Sequence, residues 1–561
     1  MGTSARFRRT ALSLALVVIT AGCRGADPIP ERLKARLASV FDVSNKEPTP
    51  DEVRAALARQ LRRTSGSGSF PSQETVGDFY AKHGSHLIWS DATGKPVPGA
   101  ATLITALRRA GEHGLDPDAY ATDRLESMEK ERSAEGLADF DLLATTALLR
   151  YASDLATGRV HPDEVQSDWK TNPPDLDLGT LLDEGVQRNE LEKLFESLPP
   201  PHPGYARLRE GLSKLRAVEQ AGGWATIPPG PKITKGSRGE RVALLRRRLT
   251  DSATVPAAGD RYDATLAGLI RRFQSLHGIE PDGVVSERTL EELNVPVDQR
   301  IRQVELNLER WRWVPREFGD PHVLVNIPGF DLELAQGSDA PWRTRVVAGK
   351  AFTPTPVFSD RIVAIVVNPP WNVPESIAVN EYLPELRKNP SALARHGIKF
   401  LEGSGEKARE VDPARVKWES VDADHFPYRL RQDPGKDNPL GRLKFDLTND
   451  FHIYLHDTPG GAAFDRSGRD LSHGCIRVQN ALELADRIAS DAAKDKIHEA
   501  LEQEEERRVE LDSKIPVHIF YWTAWADEAG ELHFAPDVYG FDAPQRAALD
   551  RVAGKQSLDS R

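Results

Sequence analysis

The sequence predicts a multidomain α+β protein: a helical first half, a small three-helix module, and a mainly β C-terminal region with helical insertions. Three observations lead there. At 561 residues the chain is longer than one core organises, since single cores stop growing beyond roughly 250–300 residues. Apolar residues recur at helical spacing through 70–226 and again through 232–296, with the break Ile227-Pro228-Pro229-Gly230-Pro231 between them. After Pro315 the pattern changes to short alternating or continuous apolar runs, the signature of strands.

The N-terminus reads as an export signal over 1–23. Arg6, Arg8 and Arg9 precede the apolar run 11–19, and small residues lead to Cys23. That run is too short to span a bilayer stably. A cysteine directly after Ala21-Gly22 resembles a bacterial lipoprotein signal, in which Cys23 is lipidated, becomes the mature N-terminus and tethers the chain to a membrane. An ordinary cleaved signal is the alternative. Residues 24–69 are polar, with Ser65-Gly66-Ser67-Gly68 and a helix-like run at 51–61, and read as a linker. Cys23 and Cys475 are the only cysteines, so acylation or removal of Cys23 leaves Cys475 unpaired.

In the helical region 70–226, Leu103, Leu107 and Ala110 share one face, and Leu142, Leu143, Ala147, Leu148 and Tyr151 make a wide stripe. The module 232–296 has a first helix with Val242, Leu245 and Leu249. Its second carries Leu266, Ile270 and Phe273 and ends at Gly278, and a third spans 287–293 after the turn at Asp282-Gly283. The region 297–543 opens with a helix over 300–313. Strands are predicted at 322–327, 331–334, 343–347, 362–367, 452–455 and 517–521, with helices at 380–387 and 481–508. Residues 376–431 read either as a cap over a cleft or as a surface insertion, and 544–561 as a frayed helical tail.

The chemistry concentrates at 454–478. Cys475 lies in Ser472-His473-Gly474-Cys475-Ile476-Arg477, and His456 lies upstream across a Gly- and Asp-rich loop. A cysteine with an adjacent histidine is the minimal nucleophile–base pair for acyl transfer. Such a thiol is expected to gain thiolate character, roughly 1 to 5 units below a free cysteine. Gly474 and Cys475 offer backbone N–H groups to a developing oxyanion, each worth about 3 kcal/mol. Zinc is the rival reading of His452, His456, His473 and Cys475. On one strand, however, His452 and His456 would stand about 13 Å apart, so no metal is expected. A net charge of −11 without a long basic block speaks against nucleic acid. No Gly-rich phosphate loop is apparent, so no cofactor is expected.

His456 together with Ser472-His473-Gly474-Cys475-Ile476-Arg477 resembles the signature of the L,D-transpeptidase catalytic domain of the YkuD type. The stretches Asn368-Pro369-Pro370-Trp371-Asn372-Val373-Pro374, 432–441 and Pro516-Val517-His518-Ile519-Phe520-Tyr521 are similar to that family too. The end of the 232–296 module, 282–294, resembles the three-helix peptidoglycan-binding domain. Gly114-Leu115-Asp116-Pro117 and its neighbours look like the scaffold of the large, YcbB-like branch. The resemblance implies His456 as general base, its ring held by the backbone carbonyl of Asp457, with His473 lining the site. It places Arg477, Ser472, Trp371 and Tyr454 against substrate. Cys475 would attack the third residue of a peptidoglycan tetrapeptide stem, expel D-Ala, and pass the acyl group to a side-chain amine in a 3-3 cross-link. Water or a lipoprotein amine as acceptor, or a non-catalytic wall-binding lipoprotein, are the alternatives. The implied location is the periplasm or cell envelope, with peptidoglycan stems and glycan as partners.

Overall fold

The computed structural model describes residues 48–559 apart from 64–71, 85, 92–94, 168, 171–175, 251–258 and 404–407. The export segment with Cys23 and most of the expected linker lie outside the described residues. One part of that linker is corrected. Helix α1, Pro50–Arg63, sets Val53, Ala56 and Leu57 on one face and buries them against α2, Ala134–Thr157. The i, i+3, i+4 spacing makes this stretch an integral scaffold helix.

The scaffold then supplies a two-residue strand, β1 (Trp169–Lys170), and helix α3 (Pro203–Gln220). The three-helix module follows as α4 (Glu240–Leu249), α5 (Ala264–Leu276) and α6 (Glu287–Leu293). Its core joins Leu245, Leu266, Ile270, Phe273 and Leu293. Asp263 and Ser286 cap α5 and α6 by accepting from Leu266 and Thr289 N–H groups.

Helix α7, Val297–Trp311, leads into the β region. There the strands are β2 (His322–Asn326), β3 (Asp331–Ala335), β4 (Trp342–Gly349), β5 (Val357–Val367), β6 (Trp371–Asn372), β7 (Ile398–Glu402), β8 (Arg409–Val411) and β9 (Tyr428–Gln432). They continue as β10 (Leu443–Asp446), β11 (Leu455–His456), β12 (Asp470–Ser472), β13 (Ile476–Val478), β14 (Arg507–Phe520), β15 (Ala524–Ala526) and β16 (Leu532–Phe534). The order β5-β10-β11-β13-β4-β3-β2-β14, with β14 pairing back onto β5, closes a barrel. Alternation turns Val323, Val325, Leu332, Val346, Ile365, Phe445, Leu455, Ile476 and Val517 inward to one core. β1 adds to β5 in parallel, Trp169 opposite Val357, so the scaffold joins the barrel's own hydrogen bonding.

Three boundaries differ from expectation. The predicted strand over 452–455 is reduced to Leu455–His456, because His452 adopts a left-handed turn with φ of 57°. The predicted long helix over 481–508 is two helices, α8 (Ala481–Ile488) and α9 (Asp491–Glu502), followed by β14. Ala489 is extended and Ser490 caps α9, which forces the break. The expected frayed tail is helix α10, Asp542–Asp559. Its Gln545, Ala548 and Leu549 are buried, and Gln545 binds Arg310 and the Leu306 carbonyl.

Residues 371–432 form a second sheet, β6-β9-β7-β8, with a core of Leu386, Phe400, Trp418 and Leu430. The stretch expected as a cap or insertion is thus a folded unit.

Scaffold and barrel are further joined by a buried ion pair at the end of α7. Glu309 and Arg312 have no exposed side-chain surface and lie 2.8 Å apart. Glu309 accepts from the Val160 N–H at 3.2 Å, and Arg312 donates to the His113 carbonyl at 2.5 Å. Removing one partner strands the other charge in the interior, which costs about 3–5 kcal/mol, whereas replacing both with apolar groups is often near neutral. Glu309→Ala is therefore expected to lower the denaturation midpoint sharply, and the Glu309→Met, Arg312→Met pair much less; parallel urea titrations check this.

Candidate active site

The site is set by a parallel pairing. β11 lies beside β13 with Leu455 opposite Ile476 and His456 opposite Arg477, and the Ile476 N–H donates to the Tyr454 carbonyl at 3.1 Å. Leu455 and Ile476 point into the barrel. Strand alternation therefore sends Tyr454, His456, Cys475 and Arg477 together to the outer face. β10 extends this face, with Lys444 directly opposite His456. The Lys444 ammonium sits 4.5 Å over the Tyr454 ring and 2.8 Å from Asp446.

His456 is buried, and its Nδ1 lies 2.5 Å from the carbonyl of Asp457. A carbonyl only accepts, so Nδ1 carries the proton and Nε2 keeps its lone pair. Burial pushes the imidazole down to about 3; the Asp457 contact opposes this, and the Arg477 and Lys444 cations add to it. The Asp457 carboxylate is engaged elsewhere, accepting from the Arg442 N–H at 2.9 Å. Gly441, at φ of 59°, permits that approach: a Cβ there would meet Asp457 Oδ2 at 2.4 Å.

Cys475 stands just before β13, its sulfur 3.9 Å from the His452 carbonyl. Burial opposes the expected thiolate character. Burial pushes the thiol up, outweighing the Tyr454 backbone and side-chain hydrogen bonds and the Lys444 and Arg477 cations that pull it down. The same burial, with Cys475 alongside, raises the Tyr454 hydroxyl.

The loop before Cys475 is braced from within and from below. Ser472, expected against substrate, is buried; its hydroxyl donates to the Cys475 carbonyl at 2.6 Å and accepts from the Gly474 N–H at 3.2 Å. That second bond corrects the expected oxyanion pair, because the Gly474 N–H is directed at Ser472. Among the described residues no acceptor occupies the Cys475 N–H. Gly474 has φ of 113°, and a Cβ there would lie 3.2 Å from Ile453 Cδ1, so glycine is required. Its carbonyl accepts from Thr355 Oγ1 at 2.7 Å. Thr355 in turn accepts from the Gly349 N–H and donates its own N–H to the Tyr539 hydroxyl, which donates to the Gly349 carbonyl. Sequence reasoning missed Thr355 and Tyr539. The one available signal was a hydroxyl residue in the extended run Thr353-Pro354-Thr355-Pro356.

The other expected residues fall in two groups. His473 reaches away to the second sheet's unit, its Nε2 2.5 Å from Glu381 Oε1. Trp371 belongs to that unit, on β6, packed edge-on to Tyr382 at 6.5 Å. Arg477 stays on the outer face with Nε lacking a hydrogen-bond partner among the described residues, and burial lowers its guanidinium. His452 presents its carbonyl to the thiol from a turn, so the strand spacing assumed in the zinc reading is not realised. Among the described residues no group of three His, Cys, Asp or Glu side chains could hold a metal, and no helix is long and apolar enough to cross a membrane.

Comparison with known proteins agrees with this architecture. Residues 74–212 match the family described as "Scaffold domain", 238–293 the "Putative peptidoglycan binding domain", and 320–511 the "L,D-transpeptidase catalytic domain" (YkuD). A "Putative L,D-transpeptidase" of Haemophilus influenzae is 35% identical over 245 residues, 43% of this chain and 48% of the relative. The chain thus spans about half the length of that curated relative. Among solved structures, the L,D-transpeptidase (residues 123–326) of Xylanimonas cellulosilytica is 14% identical, covering 52% of this chain and all of that one, with a TM-score of 0.17. The L,D-transpeptidase of Stackebrandtia nassauensis is also 14% identical, covering 53% of this chain and 96% of that one, with a TM-score of 0.20. These low structural scores carry no part of the assignment. The chain carries, in order, a scaffold domain, a peptidoglycan-binding domain and an L,D-transpeptidase catalytic domain of the YkuD family.

Proposed function

We propose that the protein is a cysteine-dependent L,D-transpeptidase that joins peptidoglycan stems through their third residues. The observation that carries this reading is the β11–β13 register, which places a base-competent His456 and the Cys475 thiol on one outer barrel face. His456 Nε2 takes the thiol proton as sulfur attacks the carbonyl of the third stem residue. Negative charge on that carbonyl oxygen is met by the Cys475 N–H. The terminal D-Ala leaves with the proton returned from His456, giving a thioester. A side-chain amine of a neighbouring stem then loses its proton to His456, attacks the thioester and releases Cys475. Arg477 and Lys444 supply positive potential to this negative charge. Action on peptidoglycan places the protein in the cell envelope, with lipidated Cys23 as its membrane tether.

Incubation with tetrapeptide-rich sacculi is expected to yield dimers linked through third residues. Tripeptide monomers alone would mean that water is the acceptor. Cys475→Ala should form no acyl-enzyme by intact-mass spectrometry, and an adduct on that variant would remove Cys475 from its role.

Thr355 is expected to act as a positioning residue. By holding the Gly474 carbonyl it aims the Cys475 N–H of the same peptide unit the opposite way, and a misplaced oxyanion donor costs roughly 10²-fold in rate. Thr355→Val should lower kcat by about that factor with KM nearly unchanged, and Thr355→Ser should recover most of it. A purely structural role would instead show as a loss of folded protein with normal kcat in what remains.

The raised thiol and lowered imidazole also set a pH dependence. In the free protein the proton stays on sulfur until the pH passes the raised thiol value, so alkylation of Cys475 by iodoacetamide should climb only above about pH 8.5, the ordinary cysteine range. A plateau of fast alkylation below pH 7 would instead reveal a resting thiolate–imidazolium pair.

A further inference from the structure

A groove of about 1600 Å³ runs over the outer barrel face between the three domains, and nothing in the mechanism above uses it. Its walls include Gly278 and Arg288 of the peptidoglycan-binding domain, Arg207 of scaffold helix α3, Arg345 of β4 and Trp525 of β15. We propose that this groove binds the glycan strand of the donor substrate, seating the sugars while their stem reaches Cys475. This rests on the transpeptidase reading, and extends it from the stem peptide to the polymer that carries it.

Strand register makes groove and nucleophile one surface. Arg477 lies opposite Val347 on β4, and Arg345, two residues along, shares Val347's face. Asp331 of β3 lies opposite Arg345 on that face. Cys475, two residues before Arg477, is level with Gly349, and there the strand beyond β4 is β12, with Asp470 opposite Ala348 and lining the groove; Asp331 lies four residues, about 13 Å, further along. Two strand spacings are about 10 Å. A stem attached to Cys475 through its third residue also spans about 10 Å back to its sugar, at roughly 3.4 Å per residue. The sugar end of a donor stem thus falls at Asp470, on the near rim of the groove, with Arg345 and Asp331 further along it.

The groove chemistry suits an amide-bearing sugar with carboxylates nearby. Trp525 stacks on His533, ring centroids 5.0 Å apart and 14° from parallel, a flat aromatic platform of the kind sugar faces pack against. Asp331 lies on the floor, with one carboxyl oxygen lacking a hydrogen-bond partner among the described residues. Arg345 donates to the Phe464 carbonyl at 3.1 Å and reaches Asp465 only at 3.9 Å, leaving a half-exposed guanidinium on the groove wall. The far wall is the domain that matches the peptidoglycan-binding family, so the groove runs from the module that would hold the polymer to Asp470, two strand spacings from the thiol that would act on it.

Two measurements on the full chain separate this proposal from the reading beneath it. Acylation of Cys475 by a free tetrapeptide reports on the transpeptidase chemistry alone. Equilibrium binding of soluble glycan strands stripped of their stems reports on sugar recognition alone. Trp525→Ala is expected to weaken glycan binding about tenfold, with Trp525→Phe recovering most of it, and Arg345→Gln should lower the acylation rate for a glycan-linked stem relative to a free one. Circular dichroism of each variant confirms folding, and if Trp525→Ala unfolds, Trp525→Leu replaces it. Glycan binding unchanged in the folded Trp525 variant would overturn the proposal, whatever the free tetrapeptide does.

Discussion

The parallel pairing of Leu455–His456 with Ile476–Val478 is the constraint on which the rest of the site depends. A parallel pair needs a long connection, and the loop from Asp457 to Gly474 is that connection. It leaves β11 at His456 and returns to β13 at Cys475. Side-chain alternation then does the selection. The residues between the functional ones, Leu455 and Ile476, anchor both strands in the barrel core, so the functional ones face outward together. A register slip of one residue would exchange these sets, burying His456 and Arg477 in an apolar interior. The apolar core is thus what fixes the position of the polar pair.

Electrostatics at this pair runs against the simplest picture of an activated cysteine. Burial disfavours both the thiolate and the imidazolium, and the Arg477 and Lys444 cations favour the first while disfavouring the second. Proton transfer from sulfur to His456 without substrate would create two charges in a site that solvates neither well. In the proposed mechanism the transfer becomes favourable because negative charge passes on to a carbonyl oxygen beside the Cys475 N–H. Thiol oxidation follows thiolate character, so burial that raises the Cys475 thiol also makes it less prone to oxidation.

Much of this was legible in the sequence where local chemistry and local pattern coincide. Residue type and spacing single out Cys475 and His456, which the fold brings to one face, and the three-helix module is legible from its apolar stripes, the stop at Gly278 and the turn at Asp282-Gly283. The continuous apolar run at 362–367 was identified as a buried strand, and it is the end of β5. What was not legible depends on partners far along the chain. The run 481–508 is charged and amphipathic throughout, and only the extended Ala489, between the two helices, and the left-handed Glu504, before the strand, divide it. Helix α10 reads in sequence as a frayed helical tail, and its docking is hidden because the buried face is narrow, built from Gln545, Ala548 and Leu549, with Gln545 bonded to Arg310 and Leu306. Ser472 carried the right motif but the wrong expected role, since a serine's hydroxyl gives no sign in sequence of whether it faces substrate or its own loop.

The scaffold illustrates the same point at the level of domains. Its strand β1 is too short for any pattern to reveal, yet it adds to β5 and sets Trp169 edge-on to Trp313 at 5.2 Å and beside Phe541 at 5.7 Å. Gln166 and Trp169 then share a cavity of about 260 Å³ with Thr353, Thr355, His473 and Gly474. One wall of the space behind the Cys475 loop therefore comes from the scaffold. The Thr355 brace on Gly474 is held on one side by the barrel and faces the scaffold on the other. Displacement of the scaffold would open this cavity to water and loosen the peptide that presents the Cys475 N–H. The scaffold is thus better understood as part of the catalytic unit's structure than as a spacer in front of it, which also accounts for the buried Glu309–Arg312 pair sitting where the two meet.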